Sequence, residues 1–183
     1  MEDRKVILKI EHLCKDFDIK AKSFTGKALK LHALSDISLD IYEGETLGII
    51  GESGCGKSTL GRCLVNLHPI TSGKLVYDGK ELNRLRKKER QALSREIQMV
   101  FQDPYSSLDP RHTAADSVEE PMIVHKTPAT ARERQERTIG LFKEVGLDMQ
   151  HLNRYPHEFS GGQRQRLNIA RAIASNPRVV ICD

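Results

Sequence analysis

The run Gly51-Glu-Ser-Gly-Cys-Gly-Lys57-Ser58 constrains this chain more than any other feature. It matches G-x-x-x-x-G-K-[ST], a pattern whose chemistry needs one context: a loop that leaves a buried strand and opens a helix. Thr46 to Ile50, just before it, is short, apolar and β-branched, and reads as a strand buried on both faces. The run from Lys57 then places Leu60, Leu64 and Leu67 on one helical face. Glycines at these positions let successive backbone N–H groups turn inward on an anion. The helix N-terminus adds its positive dipole end, Lys57 a point charge, and the Ser58 hydroxyl a ligand for magnesium. The sequence therefore predicts a loop that binds nucleotide phosphates.

Composition agrees with a folded domain. The chain has 183 residues, 38% hydrophobic and 30% charged, which suits one globular domain and excludes disordered and fibrous classes. No run approaches the roughly 18 apolar residues of a membrane span, and the first ten residues lack a signal-peptide pattern. The expectation is a chain that neither crosses a membrane nor is exported. Cys14, Cys55, Cys63 and Cys182 form no C-x-x-C pair, which argues against a disulfide framework or a zinc site and for a reducing compartment. The net charge of +4 is carried by Lys80 to Glu96, where seven basic residues meet three acidic ones. That segment reads as a solvated helix, and the rest is not the profile of a nucleic-acid binder.

Further strands are expected at Val6–Leu13, over Ile37, Leu39 and Ile41, at Leu75–Tyr77 before the turn signal Asp78-Gly79, at Ile97–Phe101, and at Val179–Cys182 as a buried strand. Asp103-Pro104 and Asp109-Pro110 bar a helix across 103–110. A helix-rich stretch follows, with Ala129–Val145 stopped by Gly146, and another helix runs from Gly161 to about Ser175. Strands, glycine loop and helices in this order predict a parallel α/β sheet with a helical insertion between two of its strands.

Three further groups bear on chemistry. Ser160-Gly161-Gly162-Gln163 opens a helix with unobstructed N–H groups, again suited to phosphate; it reads equally well as an N-cap serine followed by flexible glycines. A second phosphate site on one chain makes sense if it completes a pocket on a partner chain. Gln102 follows the strand Ile97–Phe101, where open α/β sheets bind ligands. Asp183 ends an apolar strand, the form of a magnesium-coordinating carboxylate.

The order of Gly51–Ser58, Gln102, Ser160–Gln163 and Asp183 resembles the nucleotide-binding subunit of ATP-binding cassette (ABC) transporters, over essentially the whole chain. Gln98-Met-Val-Phe-Gln-Asp-Pro-Tyr-Ser-Ser-Leu-Asp-Pro-Arg111, Arg154–Gln163 and the start of the phosphate loop are similar to the oligopeptide, dipeptide and nickel permease subfamily. Ser58–Arg62 is more like its F-type ATPase subunit than its D-type partner. The resemblance implies a P-loop NTPase core (1–103) with an N-terminal antiparallel β region, a helical subdomain (104–160), and a signature helix and Walker B strand (161–183).

It also implies roles. Gly51, Glu52, Ser53, Gly54, Cys55, Gly56, Lys57, Ser58 and Thr59 would cradle the triphosphate of ATP. Ser58, Gln102 and Asp183 would hold Mg2+, with Lys57, Gln102 and Asp183 serving the hydrolysis. Ser160, Gly161, Gly162 and Gln163 would close over ATP held by a second, head-to-tail cassette. Phe17 is the candidate for the aromatic ring under the adenine; a core or strand-edge Phe is the equal alternative. The implied function is ATP-driven peptide import at the cytoplasmic face of the cell membrane. Permease subunits would receive the ATPase at residues 105–153, and an extracytoplasmic binding protein would select the substrate. The family's glutamate after the Walker B aspartate has no counterpart, since the sequence stops at Asp183; the expectation is an incomplete cassette, inactive alone. Competing readings are a soluble, non-transport cassette ATPase and a catalytically inactive regulatory module.

Overall fold

The computed structural model describes residues 4–19, 29–128 and 130–183, and divides into two compact units, 1–90 and 91–183. In the first unit β1 (Val6–Ile19) and β2 (Leu29–Tyr42) form a long antiparallel pair. Helix α1 (Lys57–Leu64) follows, then β3 (Ser72–Tyr77) and β4 (Lys80–Glu81). The sheet order is β2-β1-β3-β4, antiparallel throughout. Leu8, Ile10 and Leu13 of β1, at most 1% exposed, share its interior with Leu34, Leu60, Leu64 and Leu75. The turn between β3 and β4 has Asp78 and Gly79 both at positive φ (45° and 78°), the type I′ geometry that an Asp-Gly pair favours.

Helix α2 (Lys87–Glu96) begins where the basic segment becomes helical, after a short 3-10 turn at Leu82–Arg84. The second unit contains β5 (Ile97–Val100), α3 (Ala114–His125), α4 (Ala131–Glu144), α5 (Gly161–Ile173) and β6 (Val179–Cys182). Strands β5 and β6 pair in parallel, Ile97 with Val179 through Val100 with Cys182. All three helices therefore lie in the crossover between two parallel strands, where the sequence places an insertion. Their core is Val118 and Met122 of α3, Leu141 and Phe142 of α4, and Leu167 and Ala170 of α5, all inaccessible to solvent. Arg166 of α5 donates to the carbonyls of Val145 and Gly146 (3.2 and 3.0 Å), closing the C-terminal end of α4.

The structure corrects three expectations. Residues 46–50 form no strand, and Leu47, Ile49 and Ile50 are 42, 47 and 99% exposed. An apolar run becomes a buried strand only where hydrogen-bonded neighbours flank it, and among the described residues none pairs with this one. β6 is only half-buried, with Val180 40% exposed, because β5 is its single pairing partner among those residues. Helix α1 ends at Leu64, so Leu67 lies beyond it and is exposed. Ala129, the expected start of α4, lies outside the described residues.

Candidate functional site

The phosphate loop runs from Gly51 to Gly56 and hands over to α1 at Lys57. Gly56 is the N-cap, at φ 102°, and no side chain caps the helix there. A Cβ at Gly56 would stand 2.5 Å from the Ala33 carbonyl oxygen and 2.9 Å from Leu34 Cδ2. The loop is thus pressed against β2, and only glycine fits there. Lys57 Nζ donates to the carbonyls of Gly51 and Glu52, both at 2.7 Å, and lies 3.6 Å from Cys55 Sγ. Those partners are neutral. An ammonium bonded to carbonyls keeps its charge for an anion, whereas one paired with a carboxylate does not. A glycine N-cap that admits no Cβ and an ammonium held only by carbonyls and a thiol fit a polyphosphate.

Phe17 stands near the far end of β1, half-buried. His68 meets its ring edge-on at 5.4 Å, and Lys15 Nζ lies 4.7 Å over the ring. Lys15 is 8% exposed, so its cation–π contact is shielded from water. Sequence reasoning passed over Lys15; the signal was a lysine on the inward-facing phase of β1. Burial pushes the thiol of nearby Cys63 up, with the Lys15 charge pulling the other way.

In the second unit the structure brings Gln102 and Asp183 to one edge. The parallel ladder ends with Val100 opposite Cys182, and Asp183 N–H donates to the Val100 carbonyl at 3.0 Å. Asp183 is partly buried, with Oδ2 shut off from solvent, while Gln102 is exposed. The loop beyond Gln102 is turned by Asp103, whose Oδ1 accepts from Tyr105 N–H at 2.9 Å. The Ser106 hydroxyl first, and then the Tyr105 amide, hold the Asp103 carboxyl below its usual range. Amide, carboxylate and hydroxyl oxygens are the hard donors that magnesium takes. Ser58 belongs to the first unit and Gln102 and Asp183 to the second.

Ser160 to Gln163 begins α5 as a capping box: Ser160 Oγ accepts from Gln163 N–H at 3.3 Å, and Gln163 Oε1 accepts from Ser160 N–H at 2.9 Å. The serine cap expected from the sequence is present, and a Cβ at Gly161 or Gly162 would meet nothing within 4 Å. Asn168, which sequence reasoning missed, is 1% exposed, and its Nδ2 donates to the Phe101 carbonyl at 3.3 Å. A polar residue on the apolar phase of α5, beside Leu167 and Ala170, was the available signal.

Residues 34–183 match the family model described as ABC transporter. The chain belongs to the ABC transporter family. Among curated ABC proteins it is 46% identical over 178 residues to the oligopeptide transport ATP-binding protein OppF of Bacillus subtilis. That alignment covers 97% of this chain and 56% of the relative. It is 46% identical to the glutathione import ATP-binding protein GsiA of Pectobacterium atrosepticum, over 97% of this chain and 28% of that protein. To the protein of the same name from Escherichia coli K12 it is 44% identical, over 99% and 29%. The chain thus spans about half the length of the first relative and under a third of the other two. A solved dimeric ATP-binding cassette in a post-hydrolysis state, bound to ADP and Pi, superposes with a TM-score of 0.86 at 33% identity. It is matched over 97% of this chain and 73% of its own. The fold is that of an ABC ATPase cassette, and the sequence resemblance to peptide-permease ATPases is borne out.

Proposed function

We propose that this chain carries the nucleotide site of an ATPase subunit that drives import of peptides through a membrane permease. The observation that carries the ATP part is the phosphate loop, where Gly56 admits no Cβ and Lys57 spends its bonds on carbonyls. Support for peptides as the cargo is the likeness to oligopeptide and glutathione import proteins. Among the described residues no helix is long and apolar enough to cross a membrane, which suits a subunit that works beside a separate permease.

In this reading residues 1–103 are the β-rich core with the phosphate loop, 104–160 the helical subdomain that meets the permease, and 161–183 the signature helix and Walker B strand. Gly51 to Thr59 wrap the phosphates, with Lys57 on the terminal ones. Ser58, Gln102 and Asp183 would supply oxygen donors for Mg2+, which would neutralise phosphate charge. Ser160 to Gln163 face ATP on a second cassette, and Phe17, braced by Lys15, lies under adenine. The subunit sits at the cytoplasmic face of the cell membrane, and an extracytoplasmic protein delivers the peptide.

The test is Lys57→Met. A fluorescent ATP analogue, with magnesium, should bind residues 1–183 and lose about ten-fold or more in affinity in the variant, the cost of one strong charge-assisted bond. Unchanged affinity would remove the phosphate-loop assignment. In cells, the same substitution in the whole protein should abolish uptake of labelled peptide; normal uptake with ATP binding lost would overturn the import reading alone.

A further inference from the structure

Gln102 stands in a stretch, 101–113, that has no helix or strand of its own, yet both its flanks are fastened to one helix. Three α5 residues do this. Asn168 Nδ2 donates to the Phe101 carbonyl at 3.3 Å, immediately before Gln102. Arg164 lies with its guanidinium carbon 5.0 Å from the centre of the Tyr105 ring. Arg171 Nη1 donates to the Ser107 carbonyl at 2.7 Å, while Nη2 bonds Glu120 Oε2 at 2.8 Å and so fixes the plane of the fork. Positions 164, 168 and 171 are spaced by four and three, which puts all three on one face of the helix.

The same face reaches in the other direction. Arg164 Nε donates to the Pro156 carbonyl at 2.8 Å and Nη2 to that of His157 at 3.3 Å, bracing the turn that leads into Ser160. One guanidinium therefore touches both the Gln102 loop and the approach to the Ser160–Gln163 cap. Two of the three attachments to the loop end on main-chain carbonyls, so they fix the course of the backbone irrespective of the loop's side chains.

We infer that Arg164, Asn168 and Arg171 are positioning residues: this stripe of α5 sets where Gln102 stands beside Asp183 and ties that position to the Ser160–Gln163 terminus. The inference rests on the reading of Gln102 as a phosphate- and metal-facing group. Asn168 touches neither ligand nor metal; it acts through the Phe101 carbonyl.

Amide exchange on the whole chain tests the attachment. Asn168→Asp keeps shape and replaces the donor with an acceptor facing a carbonyl, so the amides of 101–108 should exchange about ten-fold faster, with those of α4 unchanged. Tyr105 is 64% exposed, so Tyr105→Leu removes the ring from Arg164 without touching the core. It should act in the same direction even where Asn168→Asp folds poorly, and Tyr105→Phe should exchange like the parent. Unaltered exchange of 101–108 in both Asn168→Asp and Tyr105→Leu would overturn the inference. In the membrane-assembled protein, Asn168→Asp should lower kcat for ATP at constant KM, and should add nothing in a Gln102→Ala background. An equal further loss in that background would also overturn it, because Asn168 would then act elsewhere. If Gln102→Ala alone leaves turnover intact, the reading of Gln102 falls, and amide exchange still decides whether the stripe holds the loop.

Discussion

Gly56 is the residue at which backbone sterics and phosphate binding meet most directly. Its φ of 102° is strained for any L side chain, at a cost of about 1–2 kcal/mol. The Ala33 carbonyl stands 2.5 Å from where a Cβ would be, and it belongs to a paired strand that cannot yield freely. Forcing a methyl in adds about 1–3 kcal/mol. Gly54 makes the useful contrast: φ is 81°, but nothing lies within 4 Å of its would-be Cβ. Gly56→Ala should therefore lower stability by about 2–5 kcal/mol in urea unfolding, and Gly54→Ala by about 1–2 kcal/mol, the conformational part alone. Equal losses would mean that the close approach to β2 carries no energy. At this scale the loop at 51–58 was legible because its four specified positions, Gly51, Gly56, Lys57 and Ser58, fall within eight consecutive residues. Asn168 and Arg171 were not, because the carbonyls they hold lie 67 and 64 positions away in sequence.

Helices α3, α4 and α5 all open on a capping box, but with different chemistry at N3: Asp116, Glu133 and Gln163. The first two are carboxylates. Asp116 Oδ2 accepts from the Thr113 hydroxyl at 2.6 Å and from the Thr113 N–H at 3.0 Å, and these bonds, the hydroxyl first, hold its carboxyl below the usual range. A carboxyl lowered in the folded state adds stability that is fully present above its unfolded value, about 3.9. That stability is lost as pH falls through the folded value. Asp116→Asn keeps an acceptor but cannot titrate, so its deficit against the parent in urea unfolding should be clear at pH 7 and shrink below about pH 4. A deficit constant from pH 7 to pH 2 would refute this. Thr113→Ala, which removes the cap oxygen, should cost about 1 kcal/mol. Helices α4 and α5 were legible within a few residues because periodicity, cap and stop all lie inside them. Residues 46–50 were misread because a strand is completed by its neighbours, and the run encodes only its own apolarity. β1 overran its expected end for a related reason. Register shifts between Ile10 and Asp16, with His12 at φ 50°, break the alternation by which a strand's length is judged.

Across the whole chain the residues of the proposed chemistry fall on both sides of the division between units, Gly51–Thr59 in one and Gln102, Ser160–Gln163 and Asp183 in the other. Each unit has its own core. Phe142 is inaccessible to solvent within a cluster that runs from Leu108 to Ala174, and every member of that cluster belongs to the second unit. Phe142→Ala should cost about 3–5 kcal/mol, and it should cost it there. Amide exchange in α3, α4 and α5 should accelerate accordingly, while the amides of β1, β2 and β3, whose interior is built on Leu8, Ile10 and Leu13, keep their protection. Equal acceleration in β1–β3 would show that the two cores open as one cooperative body. If the loss stays local, the phosphate loop of a Phe142→Ala protein should still bind the fluorescent ATP analogue at temperatures where α3–α5 has already opened. Lys57, Gly56 and the strand they rest against all lie outside the damaged core.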